Sequence, residues 1–91
     1  MSVTLKFSSA FKTILHGGSD LELEVNSVRN AITELENRYP GFEKYVLDVN
    51  GAPLRFIRFF INSKDIRSLD GLDTKLKHGD QLTILQALAG G

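Results

Sequence analysis

The chain has 91 residues, 42% of them hydrophobic and 24% charged, enough for one compact domain and too few for a second catalytic lobe. Eleven lysines and arginines balance eleven aspartates and glutamates, so no basic surplus marks a binder of nucleic acid or anionic membrane. The absence of cysteine removes disulfides, thiolate zinc sites, iron–sulfur clusters and a cysteine nucleophile in one step.

Val3, Leu5 and Phe7 alternate with Thr4, Lys6 and Ser8, which predicts a strand with one buried face. Leu21, Leu23 and Val25 alternate with Asp20, Glu22 and Glu24, a second strand whose acidic outer row suits a sheet edge. Gly17 and Gly18 between them permit a reversing loop. The period then changes: Val28, Ala31, Ile32, Leu35 and Tyr39 recur at helical spacing, with Ser27 as N-cap and Pro40-Gly41 as the stop. Residues 42–55 read as a connector that packs Phe42, Val46 and Leu47, with a turn at Asn50-Gly51. Phe56 to Asn62 is the most β-prone stretch, placing Ile57, Phe59 and Ile61 on one face and Phe56, Arg58 and Phe60 on the other. After an irregular segment, Gln81–Gln86 forms the last strand, with Leu82 and Ile84 facing one way and Thr83 and Leu85 the other. Two strands, a helix and two further strands suit one mixed sheet with the helix across a single face, an α+β roll of the β-grasp kind. Residues 1–86 are expected to form the domain and residues 87–91 a flexible tail.

Catalytic and metal-binding patterns are scarce. His16 and His78 adjoin turns and read as solvated loop residues, and no paired histidines or dense carboxylate cluster suggests a metal. No serine sits in a nucleophile elbow, Gly17-Gly18 lacks the rest of a phosphate loop, and Glu34 and Glu36 read as a solvated helix face. No long apolar run or basic-then-apolar leader is present, so the chain is expected to be cytoplasmic and free of membrane. Nothing here supports an enzyme acting alone.

The distinctive feature is the end, Ala87-Leu88-Ala89-Gly90-Gly91. At ordinary glycine usage two closing glycines arise by chance in roughly one chain in two hundred. Such a tail is slim enough to thread a narrow cleft, and five extended residues reach about 16 Å. A carboxylate is a poor acyl electrophile until its oxygen is converted to a better leaving group such as AMP. With no nucleotide site in this chain, the ATP would be bound and used by a partner, and no cofactor is expected on the chain itself. In a chain without cysteine, the Gly91 carboxyl carbon is the one place to attach sulfur.

Several runs carry a family resemblance: Phe56-Ile57-Arg58-Phe59-Phe60-Ile61-Asn62, Asp65-Ile66-Arg67, Leu69-Asp70-Gly71-Leu72-Asp73-Thr74, Leu76, Gly79-Asp80, Leu82-Thr83-Ile84-Leu85 and Ala89-Gly90-Gly91. Together with the first strand and the helix ending Arg38-Tyr39-Pro40-Gly41, they resemble the MoaD/ThiS family across essentially the whole chain, and most of all its CysO-type carrier branch. The resemblance implies a ubiquitin-like β-grasp fold, adenylation of the Gly91 carboxylate by an E1-like enzyme, and conversion to a thiocarboxylate that a downstream synthase uses as its sulfur source. Acceptors used in the family lie in cysteine, thiamin and molybdopterin biosynthesis and in tRNA thiolation. Gly90, Ala89 and Leu88 would be the tail held in the partner's cleft. Gln86 stands where many relatives carry proline, which predicts a looser hinge at the root of the tail. Two other fates share the fold: a ubiquitin-like modifier joined through Gly91 to a lysine, and the small subunit of a molybdopterin-synthase-like heterodimer. A β-grasp interaction domain with an incidental Gly-Gly is the plain alternative.

With the first, last and Phe56–Asn62 strands as neighbours, Thr4, Lys6, Thr83, Leu85, Arg58 and Phe60 share the face away from the helix. Phe60 and Leu85 would form an apolar patch with a positive rim at Lys6 and Arg58, a place for the activating enzyme to dock.

Overall fold

Alternation along the strands decides which face is buried. β1 (Val3–Phe7) and β5 (Gln81–Gln86) lie side by side and parallel, with Leu5 opposite Leu82 and Phe7 opposite Ile84. β2 (Leu21–Leu23) pairs antiparallel with β1 at one edge, and β3 (Ile57–Ile61) pairs antiparallel with β5 on the other side. β4 (Lys64–Asp65) completes a five-stranded mixed sheet ordered β2-β1-β5-β3-β4. These elements come from a computed structural model described over residues 2–17 and 20–87.

α1 (Val28–Arg38) starts where Ser27, in extended backbone, accepts the Asn30 N–H on its hydroxyl at 3.0 Å. It stops at Tyr39, whose N–H still reaches Leu35 O at 2.7 Å, because Pro40 excludes helical geometry from the residue before it. Val28, Ala31, Ile32 and Leu35 are buried in one core with Val3 and Leu5 of β1, Phe59 of β3, and Leu82 and Ile84 of β5.

The connector expected over residues 42–55 begins as a short helix, α2 (Phe42–Val46), with Phe42 and Val46 buried and Leu47 packed against the core. Five residues are too few to display a helical period, so α2 has no sequence signature. Gly41 at φ +98° makes the sharp entry into α2. Glu36 of α1 then accepts the N–H groups of Gly41 at 2.9 Å and Glu43 at 2.8 Å. Glu36 stays on a solvated face, as its spacing suggests, but its carboxylate also ties the two helices together. The second strand is shorter than its alternation suggested, though Val25 beyond its end is buried all the same. Between β1 and β2 the chain forms a 3-10 turn at Ser9–Phe11, and Phe11 packs against Phe7 and Phe42 with ring centroids 5.9 Å away in each case. Gly17 takes φ +85° in the reversing loop, and Gly18 lies outside the described residues.

Candidate functional site

The sheet has one face under α1 and one that, among the described residues, carries no helix, and this bare face holds the residues singled out from the sequence. Lys6 stands opposite Thr83, Thr83 opposite Phe60, and Leu85 opposite Arg58. Paired strands run about 4.8 Å apart, so these side chains form a contiguous patch. Thr83, Phe60, Leu85 and Arg58 are half-buried against one another and Lys6 is exposed, while Val3, Leu5, Ile57, Phe59, Ile61, Leu82 and Ile84 point into the core.

The charged rim is partly fixed. Arg58 Nη1 donates to the carbonyl of Arg55 at 2.9 Å and to that of Ile57 at 3.4 Å. Lys6 Nζ lies 4.0 Å from Asp20 Oδ2, a loose and exposed pair that leaves the ammonium accessible. Asp65, opposite Phe60 on β4, accepts two bonds from the Arg67 guanidinium, at 2.7 and 3.0 Å, and one from the Arg67 N–H at 2.9 Å. The Arg67 bonds hold the Asp65 carboxyl below the usual carboxylate range, with the charge of Arg58 acting in the same direction.

The root of the tail is held from both sides. Gln86 N–H donates to Ser8 Oγ at 3.1 Å on the β1 side, and Ala87 N–H donates to Phe56 O at 2.7 Å on the β3 side. Proline at position 86 would have no N–H for Ser8, so Gln86 replaces a fixed φ with a hydrogen bond. The looser hinge expected at Gln86 overlooked that donor. Leu88, Ala89, Gly90 and Gly91 lie outside the described residues.

Both histidines are exposed, although His78 is also tied to the backbone: its Nδ1 accepts the Ser2 N–H at 3.0 Å. Among the described residues no group of three His, Asp or Glu side chains stands close enough to hold a metal ion, and no helix is long and apolar enough to cross a membrane. Arg55, in a turn just before β3, is not singled out by the sequence, and Arg67, quoted there only within the run Asp65-Ile66-Arg67, joins Arg58 at the β3–β4 edge through the short 3-10 turn Ile66–Ser68, too short to show a period.

Comparisons with known proteins agree with this geometry. The chain is 30% identical over 93 aligned residues to the sulfur carrier protein CysO of Mycobacterium tuberculosis, covering 100% of both. Among solved structures it superposes on a chain of the Amycolatopsis orientalis BexX/CysO complex with a TM-score of 0.89, at 32% identity, covering 98% of this chain and 99% of that one. It also superposes on small archaeal modifier protein 1 of Methanosarcina acetivorans with a TM-score of 0.83, at 26% identity and 99% and 96% coverage. The model of the ThiS family matches residues 9–91, nearly the whole chain and all of β2 through β5. With its ubiquitin-like β-grasp sheet, its single long helix and that match, the chain belongs to the ThiS family.

Proposed function

We propose that this protein is a sulfur carrier whose Gly91 carboxylate is adenylated by an E1-like enzyme and then converted to a thiocarboxylate. The observation that carries the reading is that the family match runs through residue 91, and so includes Gly90 and Gly91. It is supported by full-length similarity to a protein named as a sulfur carrier. In the first step a Gly91 carboxylate oxygen attacks the α-phosphorus of ATP and pyrophosphate leaves. In the second a sulfide attacks the acyl carbon, a C–S bond forms, the C–O bond to AMP breaks, and AMP leaves with the electron pair. The chain is the substrate of both steps and the catalyst of neither. The loaded thiocarboxylate would then donate sulfur to a downstream synthase, with cysteine biosynthesis as the proposed route, a choice supported by the CysO-type resemblance. A chain of this kind crystallised in the BexX/CysO complex supports a carrier that docks with a protein partner.

In this reading the patch of Phe60, Leu85, Thr83, Lys6 and Arg58 receives the activating enzyme, and Leu88, Ala89 and Gly90 carry Gly91 into its nucleotide cleft. The test is an intact-mass measurement after incubation with ATP, the cognate E1-like enzyme and a sulfide source. The expected result is the mass gain of one oxygen replaced by sulfur, lost when Gly90 and Gly91 are deleted. No gain beside a reacting control carrier, or full loading of the deletion variant, would overturn it.

The similarity to small archaeal modifier protein 1 favours one second reading, in which a lysine amine attacks the adenylate and Gly91 ends in an isopeptide bond. Tagged protein recovered from cells in higher-mass bands that survive reduction would select that fate.

A further inference from the structure

The chain is neutral overall, but its charge is segregated across the sheet. Asp20, Glu22 and Glu24 lie along the β2 edge. At the opposite edge, residues 55–67 carry Arg55, Arg58, Lys64 and Arg67 against one carboxylate, Asp65. β4 pairs only with Phe60 and Ile61, so among the described residues no strand lies alongside Ile57–Phe59 on that side. A cleft of about 260 Å³ opens there. Its lining includes the apolar Ile57, Phe59 and Ile66 and the charged Arg55, Arg58, Arg67 and Asp65.

The three arginines are differently committed. Arg67 is spent on Asp65, with Nη2 and Nε at 2.7 and 3.0 Å from one carboxylate oxygen. Arg58 uses one terminal nitrogen on backbone carbonyls. Arg55 is exposed, with its Cζ over the Phe56 ring at 5.9 Å from the centroid, a cation–π contact. Three positive groups against one carboxylate leave two positive charges uncompensated around a hydrophobic slot. Guanidinium forks match carboxylates bidentately, and the slot is smaller than the roughly 300–1,000 Å³ of pockets that enclose whole small molecules.

We propose that this cleft docks an extended acidic segment of a partner protein, with an aliphatic side chain over Ile57 and Ile66 and flanking carboxylates on Arg55 and Arg58. Charge complementarity selects the occupant: the cleft is the positive end of a chain whose far edge is acidic, so a partner presenting carboxylates is attracted at one edge and repelled at the other. The site lies beside the Phe60 patch, shares Arg58 with it and adjoins it at Asp65, which stands opposite Phe60, and does not require Gly91 to be activated.

The test is an amide-shift titration of the isotope-labelled full chain at low salt with a capped Asp-Glu-Leu-Asp-Glu peptide. Parallel arms use the same peptide with lysine in place of each acid, and inorganic phosphate alone. Expected are shifts centred on Ile57, Arg58, Phe59 and Ile66 with the acidic peptide alone, and an affinity that falls about tenfold in Arg55→Glu. The Arg55 side chain contacts the Phe56 ring, and its carbonyl accepts Arg58 Nη1, so the unbound spectrum of that variant should match wild type away from residues 54–58; should it fail to fold, Arg55→Ala serves the same comparison. No shifts at millimolar peptide, equal shifts with the lysine peptide, or affinity unchanged by the substitution would overturn the proposal. Shifts reproduced by phosphate alone would also overturn it, by reducing the site to one for free anions.

Discussion

Phe59 and Phe60 are adjacent, chemically identical and on opposite faces of the sheet, which makes them a controlled pair for separating folding from docking. Phe59 is 1% exposed and sits in the core with Leu35, Leu82 and Ile84, whereas Phe60 is half-buried on the bare face opposite Thr83. Truncating a buried phenylalanine costs about 3–5 kcal/mol, the lost transfer energy plus the cavity left behind. Against a total stability of about 5–15 kcal/mol, Phe59→Ala should leave a marginal fold. With a urea slope near 2 kcal/mol per molar, its midpoint should fall by roughly 2 M. Phe60→Ala leaves no enclosed cavity and forfeits only the part of its area that the neighbouring side chains cover, about 1–2 kcal/mol, or roughly 0.5–1 M. Its larger effect should fall on the complex with the activating enzyme, weakened by about 1–3 kcal/mol, which is roughly 5- to 150-fold in affinity. Urea titrations and equilibrium binding would be measured together on wild type and both variants. Equal losses of stability would refute the argument from burial, and unchanged binding by Phe60→Ala would remove Phe60 from the docking surface.

Ser27→Ala removes the hydroxyl that accepts the Asn30 N–H and should cost about 1 kcal/mol by urea denaturation, while Ser27→Asp should recover most of it. Gly41→Ala places a Cβ at φ +98° with nothing within 4 Å of it, so backbone strain acts alone; about 1–2 kcal/mol should be lost, seen as a melting temperature lowered by at least about 4 °C, with Gly41→Asn the milder change. The backbone bonds from Gly41 and then Glu43 hold the Glu36 carboxyl below its ordinary range, so below roughly pH 4.5 the unfolded chain takes up a proton that the folded chain still excludes. The contribution of Glu36 is therefore complete at neutral pH and lost as pH falls through its folded value. Glu36→Gln should be less stable than wild type at pH 7, with the gap closing toward pH 3; a gap independent of pH would refute the assignment.

Sequence periodicity located what repeats over several residues. Val28, Ala31, Ile32 and Leu35 announce α1, and Ile57, Phe59 and Ile61 against Arg58 and Phe60 announce both β3 and its faces, because a two-residue period reverses completely with a one-residue slip. From those faces came the gathering of Lys6, Thr83, Phe60, Leu85 and Arg58. Elements too short to repeat their own period stayed silent: β4 is two residues long, α2 is five, and the Ser9–Phe11 turn is three. Contacts made by side chains to distant backbone were equally hidden. Glu36 has the spacing of a surface residue, and only the approach of Gly41 and Glu43 gives it a role. Ser8 and Gln86 are 78 positions apart, and nothing in either marks the bond that joins them.

That bond explains why the tail leaves from β5 and what the arrangement contributes to a carrier. β5 is the middle strand of the sheet, paired on one side with β1 and on the other with β3, so it is the segment least able to shift relative to the rest. Thr83 and Leu85 of the patch belong to the same strand, and from Leu85 to Ala87 the chain advances two residues, about 6.6 Å. Gln86 and Ala87 are each hydrogen-bonded, so that spacing is set by the sheet. A partner that grips the bare face thereby fixes where the tail begins. From Ala87 to Gly91 the chain can span at most about 14 Å, so Gly91 can reach only a small volume around that origin. Restricting a reactive group to a small volume raises its effective concentration at a site within reach and excludes every site beyond it. On this argument, and under the proposed function, glycines inserted between Ala87 and Leu88 should slow adenylation progressively even with the activating enzyme at saturation, beyond whatever affinity is lost by displacing the tail from its cleft. Single-turnover rates measured beside equilibrium binding would show it, and rates insensitive to insertion would mean that the tail, not the sheet, locates Gly91.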